Sequence, residues 1–210
     1  MLANARGYRQ PKVALLLLLL WVSACSHGQI DHCTVPAITQ GQADLSCWSG
    51  ESLPLGGEWQ LNYSDHDSDS QYDGVMLVPG RWSDATTQPR LSAFGHARYR
   101  LDLTLPAHLQ DQLALIMPRI NSARRVSVIN LEGKQVVLHD SGQVSGNNTL
   151  LATMRNDVIL LPDFGTSFSL IVEVSSTSGR YGGIPAPPLI GKAENLQREI
   201  QARKIVAVAL

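Results

Sequence analysis

Cysteine, aromatic residues and charge are all scarce in this chain of 210 residues, with three cysteines, 6% aromatics and 17% charged residues. The formal net charge is −1, and no basic patch carries interleaved aromatics, so the footprint of a nucleic-acid partner is missing. No HExxH, no GxSxG and no phosphate-cradling glycine loop occurs. No further cysteine pair accompanies the cysteines, which argues against zinc. Nothing pairs two acids across a substrate as glycoside hydrolysis requires. The expectation is therefore a chain that is not an enzyme and holds no metal or cofactor. Long apolar runs are lacking too. Val13–Val22 has ten residues, about half of the ~20 that a membrane helix needs.

What is present at the N-terminus is a targeting segment. Arg6, Arg9 and Lys12 precede the apolar run, which closes with Val22-Ser23-Ala24-Cys25. A branched apolar residue, two small residues and a cysteine form a bacterial lipobox, in which the thiol carries the lipid. Residues 1–24 are expected to be a signal peptide, with Cys25 as the lipid attachment site. The chain is thus placed in the bacterial cell envelope, membrane-anchored, with its domain facing the periplasm or the exterior. An ordinary signal peptide closed by a chance cysteine is the alternative. Residues 25–50 read as a polar tether. Cys33 and Cys47 are left over in an oxidising compartment, where a disulfide between them is expected. Closing that loop is worth about 3 kcal/mol in the chain-entropy model, and two free thiols are the alternative.

From residue 51 the dominant signal is alternation. Tyr99, Leu101, Leu103 and Leu105 alternate with Arg100, Asp102 and Thr104 and stop at Pro106, the pattern of a strand apolar on one face and wet on the other. Trp59, Leu61 and Tyr63 alternate likewise, as do Phe168, Leu170, Val172 and Val174. Val75–Val78, Leu113–Met117, Arg125–Ile129, Gln135–His139 and Val158–Leu161 read as further short strands divided by turn signals. This spacing predicts an all-β sandwich or jelly roll over 51–191. Helical periodicity appears only at Lys192–Lys204, where Ala193, Leu196 and Ile200 share one face. The apolar Ile205–Leu210 after it is either the end of a docked helix or the first turns of a membrane helix, so that 192–210 is expected to be a helix leading into a truncated membrane segment.

The ordered motifs GEWQLNY, VPGRW, GHARYRLDLTLP, PRINSARRVSVIN, VEVSSTSGRYGG and LIGKAENLQRE resemble a known family. Together they are similar to the jelly-roll extracellular sensor domain of bacterial seven-transmembrane receptors with diverse intracellular signalling modules. More distantly they resemble the galactose-binding-like domain of family-2 glycoside hydrolases. The resemblance covers roughly Leu53 to Arg203 and implies a galactose-binding-like sandwich with a C-terminal amphipathic helix. It also implies a small-molecule or carbohydrate ligand, no catalysis in this domain, and signal transduction through a membrane helix that follows. A free-standing carbohydrate-interacting or structural lipoprotein is the alternative, and a glycan-active enzyme a third. The turn after the third strand departs from the family pattern: Asn130-Leu-Glu-Gly133 predicts a hairpin two residues longer.

Ligand-contacting candidates follow from chemistry and from the motifs. Arg119, Ser122 and Arg124, with Arg125, offer guanidinium forks and a hydroxyl that suit a sugar or a carboxylate. Solvated strand-edge residues are their plainer reading. Arg180 and Tyr181, before Gly182-Gly183, offer a planar cation and a ring, or only a turn. Trp82 follows a turn and is expected at a rim, whereas Trp59 is expected in the core. His96 reads as a loop residue. Asp65, Asp67 and Asp69 alternate like calcium ligands, but Ser70 and Met76 stand where an EF-hand needs glycine and glutamate, so a solvated acidic loop is expected.

Overall fold

The structure is a computed structural model, and it describes residues 34–109, 113–120, 122–141, 158–177 and 182–208, with side chains up to residue 202. The signal peptide, Cys25, Cys33, Arg180 and Tyr181 lie outside the described residues. Cys47 is disulfide-bonded, to a partner that also lies outside them.

The chain first forms β1 (Gln42–Asp44) and β2 (Leu53–Pro54), then the long pair β3 (Gly57–Asp65) and β4 (Gln71–Val78). The short β5 (Gly80–Arg81) precedes β6 (Gly95–Thr104), β7 (Leu113–Ile116), β8 (Ala123–Asn130) and β9 (Gln135–Ser141). Next come β10 (Val158–Leu160), β11 (Ser167–Ser176), β12 (Gly183–Ile184) and β13 (Leu189–Lys192), and finally the helix α1 (Ala193–Val208). The large sheet runs β4-β3-β6-β11-β8-β9, with β1 added parallel to β6. The second runs β10-β7-β13-β2, and β5 pairs with β12.

Alternation explains the large sheet. Tyr99, Leu101 and Leu103 of β6 face Val172, Leu170 and Phe168 of β11 across an antiparallel register, and all six are buried. Burying each such side chain contributes about 1.5–3 kcal/mol. Their sequence neighbours point to the opposite, open face. β7 breaks the alternation because both of its faces are covered. Leu113 and Leu115 enter the main core, while Ala114 and Ile116 pack against Leu196 of α1. Ala193 and Ile200 join that second cluster, as their helical spacing requires. No helix among the described residues is long and apolar enough to cross a membrane.

Two expectations need correction. The sandwich takes in more of the leader than a boundary at 51 allows, because Leu45 and Trp48 are buried in the core and β1 pairs with Asp102–Thr104. A three-residue strand is too short to carry a periodic signal. Trp82, expected at a rim, is fully buried. Its indole donates to the Tyr99 hydroxyl at 2.7 Å, and Tyr63 meets its ring edge-on at 5.1 Å. Gly182 lies so close over the same ring that any side chain there would collide with it. Trp59 sits in the core as expected, its Nε1 donating to the Leu55 carbonyl at 3.0 Å. Between β3 and β4, Asp65 Oδ1 accepts from the backbone N–H of Asp67 and Ser68 and so shapes the turn.

Candidate functional site

The sequence-predicted residues divide between two faces of β8. Arg124 pairs in register with Val174 and Ser141, so it points into the sandwich, where it is fully buried. Ser122, two residues earlier, shares its face and is buried as well. Ser141 at the end of β9 and Ser176 at the end of β11 complete a buried polar cluster at this end of the molecule. Ser122, Arg124 and Ser141 all have interaction partners. Arg119 is brought only to the exposed connection before β8. Arg125 faces the other way, onto the open side, where its Nη2 donates to Asp140 at 2.8 Å. Trp82 offers no free ring face to a ligand. His96 is not in a loop but in β6, half-buried on the open face, and burial draws its pKa below the ordinary value despite the nearby Glu173.

The open face holds a second arrangement that the motif reading missed. Where β1 joins β6, a cleft of about 500 Å³ opens between Gln42 and Asp44 on one side and Ser169 and Leu131 on the other. Asp102 stands on its floor. Its Oδ1 accepts from Arg100 Nε at 2.9 Å and from Ser169 Oγ at 2.6 Å. Both partners are dictated by the sheet: Arg100 is two residues away on the same strand, and Ser169 is opposite Asp102 in the β6–β11 register. Two charge-assisted bonds on one oxygen fix the carboxylate plane. Asp44 is held in turn by the Ser46 backbone N–H at 2.9 Å, which lowers its pKa. Leu131 is 85% exposed at the lip of the cleft. The turn that carries it is stapled, with Asn130 Oδ1 accepting from the N–H of Glu132 and Lys134. The signal available in sequence was the wet half of the β6 alternation, but nothing local placed Asp44 beside it.

No protein-family model matches the chain, and no curated protein matches it. Solved structures do. The β-glucuronidase of Faecalibacterium prausnitzii is similar with a TM-score of 0.48 and 14% identity, over 70% of this chain and 32% of that one. The crystal structure of Ruminococcus gnavus β-glucuronidase gives 0.45 at 13% identity, over 66% of this chain and 28% of the other. The chain therefore spans about a third or less of the length of these proteins. They correct one expectation, that of a chain outside the enzymes, because the structures it is similar to are β-glucuronidases. What the strand order itself establishes is the architecture: an all-β, jelly-roll, galactose-binding-like sandwich closed by a C-terminal helix.

Proposed function

We propose that this chain is a ligand-recognition module of the cell envelope. Its sandwich binds a small molecule, of which carbohydrate is the favoured class, and serves as the sensing part of a signal-transduction receptor. The observation that carries the reading is the cleft on the open face, where Arg100, Asp102 and Ser169 hold one another in place beside an exposed Leu131. Polar groups already fixed by their neighbours lose little freedom when a ligand arrives. A cleft that joins such groups to an apolar patch suits a molecule with hydroxyls and C–H faces. The buried cluster of Ser122 and Arg124 offers a second contact region at the end of the sandwich, with Arg119 outside it. α1 leaves the sandwich directly after β13 and docks through Leu196. A ligand that favours one pose of this helix would pass its occupancy along it. Lipidation at Cys25 would keep the module at the membrane.

A thermal-shift screen of saccharides and other small metabolites, with chromatography to detect hydrolysis products, tests the reading. A ligand present at a hundred times its Kd adds about 2.7 kcal/mol of stability, so a true ligand raises the melting midpoint measurably. A panel without one stabilising compound sinks the proposal. Mass spectrometry of the mature N-terminus tests the anchor: an unmodified chain starting at Ser26 would rule it out.

A further inference from the structure

We infer that the cleft reads a neutral saccharide through a pair of hydroxyls on adjacent carbons and turns away sugars that carry a carboxylate. This rests on the small-ligand reading above and specifies the occupant of the same site.

The Arg100–Asp102 pair leaves hydrogen-bonding capacity open. Only one oxygen of the carboxylate is used: Oδ1 takes both the Arg100 Nε and the Ser169 Oγ hydrogen bonds. Among the described residues Oδ2 has no donor, and the terminal nitrogens of Arg100 have no acceptor. The two side chains are 36% and 50% exposed, so water can leave and a ligand can take its place. A fixed acceptor therefore stands beside a fixed donor on the floor of a cleft. Two hydroxyls on neighbouring carbons answer that arrangement, one donating to Oδ2 and the other accepting from the guanidinium. A single hydroxyl satisfies only half of it.

Leu131 adds an apolar contact. An isolated exposed leucine is ordinary, but this one sits on a stapled turn at the lip of the cleft. Its side chain offers an apolar surface beside the polar floor, and the C–H face of a pyranose ring has the matching character.

Charge separates neutral from acidic sugars at this cleft. Two carboxylates, Asp44 and Asp102, line the cleft against one guanidinium. The guanidinium is already paired, so Asp44 leaves the lining net negative. Two further cations are described on the open face. Arg98 lies two residues further along β6, and Arg125 is committed to Asp140. An anionic sugar would face Asp44 and would meet an Arg100 whose charge Asp102 already offsets. Like-charge juxtaposition of this kind is how a site rejects the wrong partner.

Calorimetry on the full chain tests the inference with the methyl glycosides of glucose, galactose and mannose, each beside the methyl glycoside of its uronic acid. The expected result is that at least one neutral glycoside binds and its uronic counterpart binds about tenfold more weakly or not at all. Asp44→Asn should narrow that gap. Leu131→Ser, at an exposed position with no folding role, should weaken neutral binding several-fold at an unchanged melting midpoint. A uronic acid that binds as tightly as its neutral partner, or an Asp44→Asn variant that keeps the full gap, overturns the charge argument and leaves small-ligand binding standing. If a non-saccharide from the wider screen binds while all six glycosides fail, the saccharide assignment falls alone. Failure of every compound in both experiments removes the underlying reading as well.

Discussion

Trp82 donates its indole N–H to the Tyr99 hydroxyl at 2.7 Å in the middle of the core, and neither residue is exposed. The hydroxyl in turn lies 3.6 Å from the Met76 sulfur, to which it donates. A short polar chain thus runs through an apolar interior, linking the segment after β5 to β6 and β4. Tryptophan and tyrosine are accommodated at full burial only when their polar tips find partners, and here each supplies the other's.

Tyr99→Phe leaves the indole N–H buried without an acceptor. It should destabilise the protein by about 1–3 kcal/mol, read as a lower midpoint in urea with an unchanged slope. A variant that unfolds at the wild-type urea concentration would show that the hydrogen bond contributes nothing.

Tyrosine ionisation sets the alkaline limit. Burial, followed by the charge of Asp65, pushes the Tyr63 hydroxyl up to about 12, and burial raises Tyr99 further still. Both groups hold their protons more tightly folded than unfolded, so their contribution is fully present below the unfolded value of about 10. It is lost as pH rises through the folded values. Stability should therefore fall above about pH 10, with the steepest loss as Tyr63 approaches its folded value. Tyr63→Phe should flatten that slope in pH-dependent urea melts, and an unaltered slope would refute the assignment.

Gly182→Ala drives a methyl group into the Trp82 ring. The ring is pinned by its bond to Tyr99 and by its contact with Tyr63, so it cannot yield without disturbing the core. A loss of about 1–3 kcal/mol is expected for such overpacking. A variant with wild-type stability would mean that the 182–184 segment shifts freely.

Leu196→Ala removes the fully buried side chain that seats α1 on Ala114 and Ile116. The expected cost is about 2–5 kcal/mol. Amide exchange should become faster in α1 while the centre of β6 and β11 stays protected. Uniform loss of protection would instead mean that helix and sandwich unfold as one unit.

Much of the fold is legible in the chain because period-two alternation is local. The inward set of β6 and of β11 can be named from the sequence, and so can the apolar face of α1. The continuous apolar run of β7 is equally visible, but its meaning is not: only the docking of Leu196 explains why Ala114 and Ile116 are apolar. Ser122 and Arg124 could be singled out by chemistry, yet their burial inside the sandwich depends on which face of β8 the core occupies. That choice is made by the register with β11.

The sequence by itself determined the strands, their wet and dry faces, the amphipathic helix and the lipobox-like start, since each is written in residues a few positions apart. Only the tertiary structure decided what those faces do. It buried Trp82, whose surroundings come from β3, β6 and the distant Gly182. It also laid β1 along β6, setting Gln42 opposite Asp102 and Asp44 opposite Thr104 across a separation that no local pattern encodes. Side-chain periodicity is a property of one strand, whereas a cleft is a property of strands that meet.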